Sequence, residues 1–168
     1  MEFTNEIVEY IKLNGRQLSG GAARQSNFTQ GFPEKIKSFM LRYGGLEIKK
    51  FHSEGVISRE VNKIIFDISL TEGLAEGYGK FLSKKLFPIG VYMPEAYEIV
   101  VDENEFVYLL GESCFCAGKK LYEGIERIIR ADERNMLELD PSNDTHPVWL
   151  KLNENESIPV NIDSYLFI

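Results

Sequence analysis

A chain of 168 residues with 43% hydrophobic side chains is long enough for one core of ordinary size and too short for two, and it needs no disulfide or metal to stand alone. No run approaches the roughly 18 apolar residues of a membrane span, and "MEFTNEIVEYIKLNG" lacks a basic region followed by an apolar core, so the expected site of action is the cytoplasm. The net charge of −7 is uneven: residues 1–94 hold 13 Lys+Arg and 10 Asp+Glu, residues 95–168 hold 6 and 16. An acidic carboxyl half repels nucleic acid and anionic membranes and suits a basic protein partner.

In chain order, Phe3, Ile7, Tyr10 and Ile11 recur at helical spacing before Gly15, which predicts a short first helix. The polar, glycine-bearing stretch that follows reads as a loop. Pro33 suits the first turn of a second helix, whose stripe is Ile36, Phe39, Met40 and Tyr43. Gly44 stands where a helix needs a left-handed residue, and Gly45 lets the chain swing into the alternating strand that begins at Leu46. Residues 61–70, "VNKIIFDISL", have strand composition, and 74–86 predict a helix weakened by Gly77 and Gly79.

"FPIGVY" comes next, then "YEIVVD" and "FVYLLG", which read as an antiparallel hairpin. Ile99 and Val101 are expected on one face, with Tyr97, Val100 and Tyr108 sharing the rest. Residues 117–131 place Leu121, Ile125, Ile128 and Ile129 on one stripe, a packed surface helix. Residues 132–146 read as acidic and irregular. "PVWLKL" and "IPVNIDSYLFI" are expected as late strands or a segment docked by Trp149, Tyr165 and Phe167. The sum is a single α+β domain over 1–168, a mainly antiparallel sheet with helices at the amino end and after the central hairpin, on one side or end of the sheet.

Candidate chemistry is sparse. Cys114 and Cys116 have no further Cys and no nearby His, so four-ligand zinc chemistry lacks its other half, and they read as reduced thiols. The segment Gly73 to Lys80 has the layout of a phosphate loop, but five residues separate its outer glycines instead of four, and Phe81 replaces the metal-binding hydroxyl. The two histidines, His52 and His146, form no recognisable triad. Asp102 and Glu103 fall in a hairpin turn, where solvent would keep them ordinary. What remains is a dense acidic array, Glu95, Glu98, Asp102, Glu103, Glu105 and Glu112, with no Lys or Arg between the first and the last.

The order "FMLRYGGLEI", "LFPIGVY", then "YEIVVDENEFVYLLGESCFCAGKKLYEGIERIIRA" resembles the SUKH superfamily of bacterial immunity proteins, and is most similar to its third group. The resemblance covers 33–131 and rests on Tyr43, Gly44, Gly45 and Leu46, on a Pro-Ile-Gly turn at Pro88 and Gly90, and on the acidic hairpin. "ENEF" stands where the family tends to keep a glycine, which puts the left-handed residue of the turn at Asn104. Residues 132–168 lie outside the resemblance.

The resemblance implies an α+β protein that is not an enzyme, uses no cofactor and protects a toxin-producing cell by binding the cognate polymorphic or contact-dependent toxin, often a nuclease. The partner is then a basic protein domain rather than nucleic acid or membrane, and the inhibitor a monomer or weak homodimer. The six carboxylates are the expected contact surface. Two other readings are a scaffold of the cell-wall-regulator type, as in eukaryotic relatives of the superfamily, and a small nucleotide- or ligand-binding protein using Gly73 to Lys80.

Overall fold

The computed structural model describes residues 2–18, 20, 27–49, 63–93, 95–132, 135–152 and 156–167. Helix α1 (Asn5–Asn14) runs into strand β1 (Gly15–Gln17), and α2 (Glu34–Tyr43) turns into β2 (Leu46–Lys49). β3 (Lys63–Ile65), a 3₁₀ turn (Ile68–Leu70) and α3 (Leu74–Leu82) lead to β4 (Leu86–Met93), β5 (Tyr97–Asp102), β6 (Val107–Leu110) and β7 (Cys114–Gly118). After α4 (Leu121–Ile129) come β8 (Leu137–Leu139), β9 (Trp149–Leu152) and β10 (Ser157–Val160). The ten described strands form one sheet in which every pairing is antiparallel and joins neighbours in sequence. This is the α+β, mainly antiparallel architecture that the pattern of helices and hairpin predicts.

The α2 stripe buries Ile36, Phe39, Met40 and Tyr43 as its spacing requires, with Pro33 preceding the first turn. The corner after it differs in one detail. Gly44 has φ −58 and ψ 133, and it is Gly45 that takes a positive φ, +77. Those angles define a type II turn, whose second central residue must be left-handed. The corner is tied on three sides: Gly45 N–H donates to Phe66 O at 2.7 Å, Gly45 O accepts from Leu18 N at 2.8 Å, and Gly44 O accepts from Gln17 Nε2 at 2.9 Å. It therefore fixes β1, β2 and the end of β3 against one another.

The sheet is buried on both sides at its centre. On one side Ile99, Val101, Val107 and Leu109 meet Phe3 just before α1, Ile7 of α1, the α2 stripe, and Leu121, Ile125, Ile128 and Ile129 of α4. On the other, Val100, Tyr108, Leu110, Cys114 and Cys116 meet α3 through Leu74, Tyr78, Phe81 and Leu82, and the late segment through Trp149, Tyr165 and Phe167. Helices were expected on one side or at one end of the sheet, and α3 lies on the face opposite the other three. Tyr97 also differs from expectation, packing with the Ile99 and Val101 side, because alternate residues of a strand share a face. β8 crosses the tract expected to be irregular, and Gly15 to Gln17 add a strand where a loop was expected.

Pro88 and Gly90 do not form a turn. β4 runs through them, and its register against β5 shifts between Pro88 and Gly90, which is a bulge that locally bends a strand. A Cβ on Gly90 would lie 2.2 Å from Ile65 O and 2.8 Å from Phe66 Cα. Only a residue without a side chain lets β3 approach there.

Gly45→Val places a β-branched residue at positive φ, and Gly90→Ala forces backbone apart. Each is expected to lower unfolding free energy in urea by about 1–3 kcal/mol. Unchanged midpoints for both variants would contradict the corner and the bulge as described.

Candidate functional site

The six carboxylates of the expected contact surface separate into three groups. Asp102 is fully buried rather than solvated in a turn. Its Oδ1 accepts from Asn104 N at 2.8 Å and Phe106 N at 2.9 Å, closing the hairpin loop, and its Oδ2 accepts from Lys84 Nζ at 2.5 Å and Tyr108 Oη at 3.1 Å. Lys84 also lies 4.4 Å from the centre of the Phe106 ring. Four donors on one buried carboxylate satisfy it completely, which is how a buried charge is tolerated. Burial first, then the neighbouring Cys116 thiol and Asp102, hold the Tyr108 phenol far above its ordinary range.

Glu98 is also buried, at 1% exposure. Its Oε1 accepts from the backbone amides of Glu72, Gly73 (2.7 Å) and Leu74 (3.2 Å), so a side chain of β5 caps the start of α3. Oε2 has no hydrogen-bond partner among the described residues. This settles the geometry of the glycine segment: Gly73 is left-handed, as a tight anion-binding turn needs, but the anion held there is the protein's own. Lys80, which a phosphate loop would aim at its ligand, is exposed and pairs with Glu76 at 2.7 Å.

Glu103 and Glu105 form the hairpin tip. Glu103 Oε2 accepts from Lys85 N at 3.0 Å, and Glu105 pairs with Lys35. The left-handed residue of this turn is Glu105, with φ +71, not Asn104. Asp102 Oδ1 explains the exchange, because it holds the amides on both sides of the left-handed position.

Glu95 and Glu112 lie at the other end of β5, separated from the tip by a strand about 17 Å long. Both are exposed. Burial first raises the Tyr97 phenol, the Ser113 amide then lowers it, and Glu112, Glu95 and Glu138 of β8, which composition alone does not single out, add smaller upward contributions. Tyr97 packs against Gly111, where a Cβ would come within 2.6 Å of its ring, and its ring centre is 6.0 Å from that of Phe115. Among the described residues no Lys, Arg or His pairs with Glu95, Glu112 or Glu138.

Two surface grooves flank α3. One, of about 690 Å³, is lined by Glu76, Lys80, Lys84 and Lys85; the other, of about 550 Å³, by Leu74, Tyr78, Phe81, Glu112 and Leu139. Neither aligns a nucleophile with a base. Among the described residues no three His, Cys, Asp or Glu are grouped as metal ligands. His146 is exposed and turned into its own loop, with Nδ1 2.9 Å from Thr145 Oγ1, and His52 lies outside the described residues. Cys114 and Cys116 are buried free thiols in β7, the strand that leads into α4. No helix among the described residues is long and apolar enough to cross a membrane. Comparison with family models, with characterised proteins and with solved structures finds no match to this chain.

Asp102→Ala strands Lys84, Tyr108 Oη and two amides, and is expected to cost about 3–5 kcal/mol. A loss under 1 kcal/mol in chemical denaturation would show that this network carries little. Burial raises the Cys116 thiol to about 12 and Cys114 well above 9.0. The folded state keeps protons that the unfolded state releases, so the thiols' contribution to stability is expected to be constant below pH 8 and to be lost as pH rises from 9 towards 12. Native protein at pH 8 should give no rapid reaction with an aromatic disulfide reagent, and two thiols after denaturation.

Proposed function

We propose that this protein is an immunity protein of SUKH type that binds and neutralises a basic toxin domain, a nuclease by preference, in the cytoplasm of the producing cell. The observation that carries this reading is the state of the carboxylates that the fold leaves unpaired, two of them exposed and Glu138 half-buried. Glu95, Glu112 and Glu138 surround a half-buried Tyr97 and Phe115 with no described counter-ion, while the buried acids Glu98 and Asp102 are committed to the fold. Unneutralised carboxylates in β8 and in the turns next to β5 and β7 accelerate encounter with a cationic surface. A phosphate-binding enzyme must present Lys and Arg, so its own catalytic face is the complementary surface.

The residues behind the resemblance support the same reading from the side of the fold. Tyr43 to Leu46 form a helix-to-strand corner, and "YEIVVDENEFVYLL" forms the hairpin with an acidic turn. The nucleotide-binding alternative has lost its donors, since Glu98 occupies the amides of residues 72–74.

The test is co-expression with the carboxyl-terminal domain of a large secreted protein encoded beside this gene. That domain alone should kill, and the pair should grow; equal killing in both strains would remove the immunity reading for that partner. Affinity should also fall steeply with ionic strength.

A further inference from the structure

We propose that the partner docks on the face of β7 to β10 that points away from Trp149, with Tyr97 and Phe115 receiving an Arg or Lys side chain of the basic toxin; this rests on the immunity reading above. The pairing register puts Ile99, Leu109, Phe115, Glu138, Leu150 and Pro159 side by side across six strands, all facing one way. Their exposure grades along that row. Ile99 is 0% and Leu109 6% exposed, Phe115, Glu138 and Leu150 are half-buried, and Pro159 is exposed.

The cause is the extent of the helical layer. The core formed with α1, α2 and α4 contains no residue of β8, β9 or β10, whereas the opposite face of that wing is covered by Tyr165 and Phe167 around Trp149. Leu150, Pro159 and the 39% exposed Leu152 therefore continue the first core outward without a described cover.

Charge selects the occupant. Glu95, Glu112 and Glu138 act on the Tyr97 phenol, and the described lysine on this wing, Lys151, faces the other way, 5.8 Å from the Tyr165 ring. A second copy would bring two such carboxylate sets together, and nucleic acid or an anionic membrane would be repelled. A guanidinium or ammonium against an aromatic face, flanked by carboxylates, gains from both cation–π and ionic attraction. Arg and Tyr are also the residues on which interface energy concentrates.

The probe is an octa-arginine peptide titrated into the full ¹⁵N-labelled chain at low salt, with affinity read by anisotropy. Amide shifts should centre on Tyr97, Gly111, Phe115, Glu138 and Leu150. Glu95→Lys with Glu138→Lys, neither of which lines a groove beside α3, should weaken binding at least about tenfold, and Glu103→Lys at the far tip less than about twofold. Shifts centred on the tip or on the grooves beside α3, equal losses for both sets, or peptide-free self-association through these residues would overturn the proposal. In the co-expression assay the two claims separate. Failure of the unaltered protein to protect sinks the immunity reading whatever the peptide map shows, whereas full protection by the Glu95→Lys, Glu138→Lys variant sinks this surface alone.

Discussion

β5 has no solvent-facing side at its centre, and that constraint shapes everything around it. Ile99, Val100 and Val101 are all at 0% exposure, so both faces of the strand must be covered. One cover is three helices. The other is α3 with the late segment around Trp149, which is why α3 must sit opposite the rest. Two carboxylates on the second face then have to be satisfied inside the protein. Glu98 is met by the amides that open α3, and Asp102 by Lys84, which lies just beyond the end of α3. The helix that buries the two acids is thus held at both ends by them, so cover and charge compensation are one interaction.

That coupling also explains what was readable in the sequence. The α2 stripe, the β5–β6 hairpin and the α4 stripe depend on local periodicity, and each appears where its pattern predicts. Glu98 and Asp102 do not. In "YEIVVD" they alternate with Ile99 and Val101, the signature of a strand with one wet face. Only Lys84 and the amides of residues 72–74, distant in sequence, turn that face inward. A signal was present in the neighbours: "VYLL" and "CFCA" are apolar on both faces, which a half-exposed strand would not be.

Smaller differences have equally local causes. Gly45 rather than Gly44 is left-handed because the chain leaves α2 through a type II turn instead of a simple helix cap. β8 is three residues long with Glu138 in the middle, too short for alternation to register, and its pairing with β7 and β9 supplies what its composition lacks. Glu138 mattered for the site as well. It joins Glu95 and Glu112 across a strand pairing that no count along the chain reveals.

The acidic character of the carboxyl half therefore divides by role. Asp102 and Glu98 are buried inside the fold, whereas Glu95 and Glu112 lie exposed in turns and Glu138 half-buried in β8. Buried ion pairs rarely repay their desolvation, while carboxylates beside aromatic rings at a rim keep their hydration until a cation arrives. A surface of that kind gains in rate and selectivity more than in raw affinity, and the apolar continuation through Leu150 and Leu152 supplies the area that charge alone does not. Since Tyr97 is seated on Gly111 and packed against Phe115, the rings are already in place before binding, so a cation meeting them loses little to reorganisation of the protein.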